Sequence, residues 1–163
     1  MTLRENLISV GDEVYGTKYN EHCMEIYKLY VASAESISDR REKANTFFLA
    51  LNTATVGFIE LFADERAQLA MIVPLAGISL CVIWSRLMKS YRGMNTGKFK
   101  VIHEMEKRLP LAAFDAEWEA LGQGRDPKIY APFTKIEALV PWVFAALYVA
   151  LLVMGLIAQP NAN

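Results

Sequence analysis

Three apolar runs, residues 46–63, 67–85 and 138–158, constrain this chain more than anything else in it. They are 18, 19 and 21 residues long. At about 1.5 Å of rise per residue, a helix through each covers roughly 27–32 Å, the thickness of a bilayer's hydrocarbon layer. A water-soluble domain of 163 residues has no use for three such runs. The pattern predicts an all-α integral membrane protein with three transmembrane helices. The N-terminal helix and the segment between spans two and three are expected to form a helical cytoplasmic domain.

The distribution of positive charge predicts the orientation. Residues 1–45 carry six Lys and Arg, residues 86–137 carry ten, and the 64–66 turn carries only Arg66. The tail 159–163 carries none. Cytoplasmic flanks concentrate Lys and Arg, so the N-terminus and 86–137 are expected in the cytoplasm and the C-terminus outside. Residues 1–20 include Glu5, Asp12 and Glu13 and hold no continuous apolar core, so span one is expected to serve as the insertion signal. The net charge of −1 speaks against an electrostatic nucleic-acid binder.

Between the runs the chain reads as helix. Residues 1–18, with Gly11 and Gly16, are expected to form a loosely helical arm. From about Asn20, Cys23, Tyr27, Tyr30, Ala34, Ile37, Ala44 and Phe48 recur at helical spacing, and no Gly or Pro intervenes before Val56. One helix of about 40 residues is therefore expected to run from the cytoplasm into span one. A lone helix of that length would not be stable in water, so its apolar stripe must pack on the 95–121 segment or on a neighbouring subunit. Pro74 lies inside span two and is expected to kink it. Gly93-Met94-Asn95 reads as an exit turn, followed by an amphipathic helix with Phe99, Ile102, Met105 and Leu109 on one face. After Pro110, Leu111, Phe114, Trp118 and Leu121 line a short helix that Gly122 ends. Thr134 and Glu137 have capping-box spacing before the last helix.

No catalytic constellation is present in the sequence. It has no glycine-rich phosphate loop, no Ser-His-acid set, and no Arg placed four to six residues before either His22 or His103. A non-enzymatic protein without cofactor or metal is expected. His22 and Cys23 are neighbours on a helix and point apart, and Cys23 and Cys81 fall in different compartments, so neither a metal site nor a disulfide is predicted.

The functional candidates lie in and beside span one. Thr46, Thr53, Gly57 and Glu60 share one helical face, flanked by Asn52 and Thr55. Polar and ionisable groups in a membrane segment need water or a partner, which makes this face a candidate pore or cavity lining. Alternatively, Glu60 reaches the outer interface, and Asn52 and Thr53 join helices by hydrogen bonds. The charge cluster Asp39-Arg40-Arg41-Glu42-Lys43 reads either as a solvated, lipid-attracted face or as an inter-subunit belt. Tyr27, Tyr30 and Ile37, with Asp39, Arg40 and Arg41, are the inter-subunit candidates. Phe114 and Trp118 are expected in the core of the cytoplasmic domain. Lys98, Lys100, Lys107 and Arg108 interleave with Glu104 and Glu106 as a mixed-charge face.

Several stretches together resemble a known family. They are Tyr27-Lys28-Leu29-Tyr30-Val31, Ala34-Glu35-Ser36-Ile37-Ser38-Asp39-Arg40-Arg41, Ala44-Asn45-Thr46-Phe47-Phe48 and Leu51-Asn52-Thr53. Downstream, Asn95-Thr96-Gly97-Lys98, Glu117-Trp118, Leu121-Gly122-Gln123-Gly124 and Pro132-Phe133-Thr134-Lys135-Ile136-Glu137 continue the pattern. In order and spacing the chain is similar to the RipA-like family of small octameric bacterial inner-membrane proteins. The resemblance implies a homo-octamer in contact with membrane lipid, with roles in stress adaptation, virulence or defence and a pore-like ring. It implies no catalytic residue. A non-conducting scaffold that recruits a cytoplasmic partner is the alternative.

Overall fold

The computed structural model describes residues 3–62, 69–130 and 136–158, and among them the fold is all-α without a strand. Two short helices, α1 (Leu3–Leu7) and α2 (Asp12–Tyr15), precede the two elements that organise the chain. These are α3 (Tyr19–Phe62) and α4 (Leu69–Glu106), of 44 and 38 residues. A short α5 (Ala113–Ala120), a 3-10 turn at Gly122–Gly124 and the apolar α6 (Val140–Ala158) complete the fold.

The long helix expected from residue 20 is present as α3. The exit turn expected at Gly93-Met94-Asn95 is not: α4 continues unbroken through it to Glu106. One helix-interior glycine costs only about 1 kcal/mol against alanine, too little to end a helix whose flanks are packed. Gly93 is not among the residues with positive φ, whereas Gly122 (φ 61°) is, and Gly122 does mark the end of α5.

Two helices, not three, are long and apolar enough to cross a membrane among the described residues: one in α4 from Met71, the other Val140–Ile157. The expected first span, 46–63, is not among them; its last residues reach the limit of the described ones, and the side chains of residues 60–62 lie beyond that limit. Its Ala63, the 64–66 turn and Thr134 lie outside the described residues.

The chain divides into two compact units. The first comprises Met1–Arg40 and Tyr91–Pro132, the second Arg41–Ser90 and Phe133–Asn163. In the first unit, Ala34 and Ile37 of α3 and Ile102 and Glu106 of α4 are buried, and Phe99 meets Phe114 edge to face at 5.7 Å. In the second unit, Phe48 of α3, Cys81, Trp84 and Met88 of α4, and Tyr148 of α6 are buried. Trp84 is its centre: it stacks on Phe48 (5.9 Å, 10° between planes) and leans on Phe144 (6.2 Å). Aromatic groupings of this kind contribute beyond the area they bury.

Candidate functional site

In the first unit the polar contacts converge on Glu106, 1% exposed at the end of α4. Its Oε1 accepts hydrogen bonds from the Tyr27 hydroxyl (3.1 Å) and the Phe114 N–H (3.0 Å), and its Oε2 accepts from the Asp115 N–H (3.1 Å). The cause lies in α5, whose N-cap position holds Ala112 and supplies no side-chain cap. Its first N–H groups need an acceptor, and an anion at a helix N-terminus is favoured by the peptide dipoles. Glu106 supplies that acceptor from eight residues upstream and so pins α5 to α4. Burial, then the bond to Glu106, then the repulsion of that carboxylate raise the Tyr27 pKa above its usual 10.0. Lys98 of α4 donates to Ser33 (2.8 Å) and lies over the Tyr30 ring, 4.3 Å from its centroid. Arg108 donates to the Tyr19 hydroxyl at 2.7 Å.

The stripe expected to pack on the 95–121 segment or on a neighbouring subunit meets the chain's own α4. Tyr27, Tyr30 and Ile37 face the chain's own α4, because that helix offers them a buried apolar partner, a carboxylate and a cation. The exposed apolar side chains on this part of α3 are instead Ile26 (54%) and Leu29 (70%). Asp39 and Arg40 are exposed, while Arg41 lies 3.6 Å from Glu137 in the second unit. Trp118 is not a core residue: it and Leu111 are exposed, and only Phe114 of that set packs against Phe99. Lys107 pairs with Glu104 at 2.6 Å.

Between α3, α4 and α5 a groove of about 190 Å³ opens, floored by Val31, Ala34, Phe99, Ile102 and Phe114 and edged by Glu35, Ser38 and Asp39.

In the second unit the polar contacts centre on Asn52, which is fully buried. Its Nδ2 donates to the Phe48 carbonyl (2.8 Å), its Oδ1 accepts from Cys81 Sγ (3.4 Å), and its own carbonyl accepts from the Tyr148 hydroxyl (3.1 Å). Trp84 Nε1 donates to Asn45 Oδ1 at 3.0 Å. Asn52 thus joins three helices, and its side chain is withdrawn from the exposed face that holds Thr46 and Thr53. Thr53 returns its hydroxyl to the Leu49 carbonyl (2.9 Å). Gly57 is half-buried, with nothing within 4 Å of where a Cβ would stand. The side chain of Glu60 lies outside the described residues.

Gly77 allows the closest approach in this unit. A Cβ there would stand 2.5 Å from the Tyr148 ring, so α6 can lie this close only because position 77 lacks a side chain. The outward surface of α6 is apolar, with Trp142, Val143, Leu147, Val153, Met154 and Ile157 all exposed and only 11% of the span buried. A face of that composition belongs against lipid or another apolar helix.

Sequence reasoning did not single out Glu106 or Gly77. A signal for the first was available: 110–116, Pro-Leu-Ala-Ala-Phe-Asp-Ala, starts a helix with no Ser, Thr, Asp or Asn at its cap, so an acceptor had to come from elsewhere. No equivalent signal marks Gly77, because close approach depends on which helix faces it.

Neither a search of curated proteins nor a search of solved structures finds a match. A family model does match, over residues 24–157, from the start of the α3 stripe to the end of the α6 span. With most of its length matched, including both apolar helices and both long-helix pairings, the chain belongs to the octameric membrane protein family.

Proposed function

We propose that the protein forms an octameric ring in the bacterial inner membrane, crosses it three times, and lines a pore-like centre with the second half of α3. The observation that carries this reading is one of parity. Residues 1–40 and 91–132 form one unit, joined by Tyr27 to Glu106, Ser33 to Lys98 and Tyr19 to Arg108, and so belong on one side of a membrane. The intervening chain must cross an even number of times. If the apolar half of α4 crosses, the second half of α3 crosses with it. The antiparallel pairings of Asn45 with Trp84 and Asn52 with Cys81 support this.

On this reading residues 46–62 can be less apolar than α4 and α6 because part of their surface faces protein or the ring centre, not lipid. Thr46, Thr53 and Gly57 make that inner stripe, with the bulkier Phe47 and Phe58 exposed beside it. The excess of Lys and Arg puts the first unit in the cytoplasm and the C-terminus outside. A part in stress adaptation, virulence or defence follows from the family resemblance.

Purified octamer in planar bilayers is expected to pass ions. Thr53→Asp, which adds one carboxylate per subunit, is expected to shift the reversal potential toward cation preference. A verified octamer that stays electrically silent across pH and voltage would refute the pore. The non-conducting scaffold would then stand, favoured by the exposed Leu111 and Trp118 as a place for a cytoplasmic partner.

A further inference from the structure

The exposed surface of α3 within the second unit has two unlike halves. Glu42, Thr46 and Thr53 are all exposed, and their spacings of four and seven residues bring them within about 40° of one another around the helix. Leu49, 42% exposed, stands at the edge of this line between the two threonines. Lys43 and Phe47 each follow a member of the line by one residue and so diverge from it by about 100°. Phe58, five residues beyond Thr53, lies about 140° away from it. One half of the surface is therefore a carboxylate and two hydroxyls in file, and the other carries a cation and two phenyl rings, 60% and 44% exposed. The core side is separate again: Arg41 reaches Glu137, Asn45 accepts from Trp84, and Phe48 stacks on Trp84. Glu42 joins none of these contacts and makes no hydrogen bond or ion pair with a described residue. Its carboxylate plays no part in holding the bundle together.

Symmetry turns one position into a ring. Copies inserted in one membrane with one orientation are related by rotation about the membrane normal, so every copy of a given residue stands at one height. Resting on the pore reading above, we propose that Glu42 is the ion selector: its eight copies form a carboxylate ring at the cytoplasmic mouth of the pore, and the permeant ions are inorganic cations. Along α3, Glu42 lies about 6 Å before Thr46 and about 16 Å before Thr53. On the proposed topology the chain enters the membrane from the cytoplasm through this stretch. An ion from that side meets the carboxylates first and the hydroxyls after them. Like charges gathered at one height hold a negative potential that draws cations in and turns anions away. Hydroxyls carry no net charge, so among the described residues of the stripe Glu42 alone sets the sign of the ion.

Planar-bilayer currents of the full-length octamer in a potassium chloride gradient test this. The unmodified protein is expected to favour K+ over Cl−. Glu42→Gln should lower that preference about tenfold, Glu42→Asp should keep most of it, and Glu42→Lys should reverse it. Lys43→Gln is the control, because it removes a charge of equal size at nearly the same height but on the other half of the surface, and the preference is expected to stay. If Lys43→Gln moves the preference as far as Glu42→Gln does, overall surface charge selects the ion and the proposal fails. It fails equally if Glu42→Gln changes nothing or if the unmodified protein favours anions. In a Cys23→Ala, Cys81→Ala background, Glu42→Cys gives a second reading within one folded protein. A methanethiosulfonate carrying a sulfonate, added from the cytoplasmic side, is expected to bring cation preference back, and one carrying a quaternary ammonium to favour anions. Unaltered current after a modification verified by mass would place residue 42 off the pore. A verified octamer that passes no ions refutes the pore reading, and this inference falls with it. A conducting octamer indifferent to residue 42 refutes this inference alone.

Discussion

The two units solve the same problem, a polar group inside a helical bundle, in opposite ways. In the first, the buried polar group is the carboxylate of Glu106, satisfied by a phenol and two backbone N–H groups. In the second it is the neutral amide of Asn52, satisfied by a backbone carbonyl and a thiol. On the proposed topology, water surrounds the first bundle and can hydrate its charges until they dock. In hydrocarbon, a polar group must find its partners within the protein, and a neutral side chain able to bond along its own helix is the least costly choice. The outer surfaces differ in the same sense: the first unit exposes Glu, Lys and Asp beside apolar residues such as Leu29 and Leu111, whereas Trp, Val, Leu and Ile cover α6.

Substitutions can break or sharpen this contrast. The largest effect is expected from Glu106→Ala, which leaves a half-buried hydroxyl and two helix-end N–H groups without their acceptor. A loss of about 2–4 kcal/mol, read as a lower thermal midpoint with loss of α5 helicity, is expected, with Glu106→Gln recovering part of it. Gly77→Ala comes next, at about 1–3 kcal/mol, because the buried Tyr148 ring has little room to move away from the new methyl. Pairing it with Tyr148→Leu should recover stability non-additively, which a thermal double-mutant cycle in detergent would detect.

Asn52→Leu is expected to cost less, about 0.5–1.5 kcal/mol, since interhelical hydrogen bonds in membranes are individually weak and the Tyr148 bond goes to the backbone carbonyl, which remains. A loss for Asn52→Leu equal to that of Glu106→Ala would erase the distinction drawn between the units. The smallest effect is confined to alkaline pH. Tyr27 has its pKa raised in the folded state, so its contribution is fully present below the usual 10.0 and is lost as pH climbs through the higher folded value. Tyr27→Phe should therefore flatten the alkaline limb of a stability–pH curve while leaving its slope near neutrality unchanged.

Several features were legible in the residues before any fold was known. The continuous α3 follows from the unbroken 3.6-residue periodicity after residue 20, and the last apolar helix from its composition. Gly122 was identified as the end of α5, and its positive φ shows why a glycine stands there. The Gly93 turn was misread because a local propensity of about 1 kcal/mol is outweighed by packing along both flanks of α4. The stripe from Tyr27 to Ile37 was correctly found to be apolar, but periodicity reports only that a face is covered, not by what.

The same division holds for the candidate site. Thr46, Thr53 and Gly57 could be placed on one face from their spacing, because helical geometry fixes the direction of every side chain relative to the axis. That Asn52 bridges three helices, that Glu106 caps a helix eight residues away, and that Gly77 admits a tyrosine ring all required the partner elements. Composition, which is additive, by itself led to a helical membrane protein, which the all-α fold and the family match bear out. The tertiary structure alone decided which apolar face is covered within the chain and which stays exposed, since docking depends on pairs of residues 50 or more positions apart, such as Tyr27 and Glu106, that no local pattern relates.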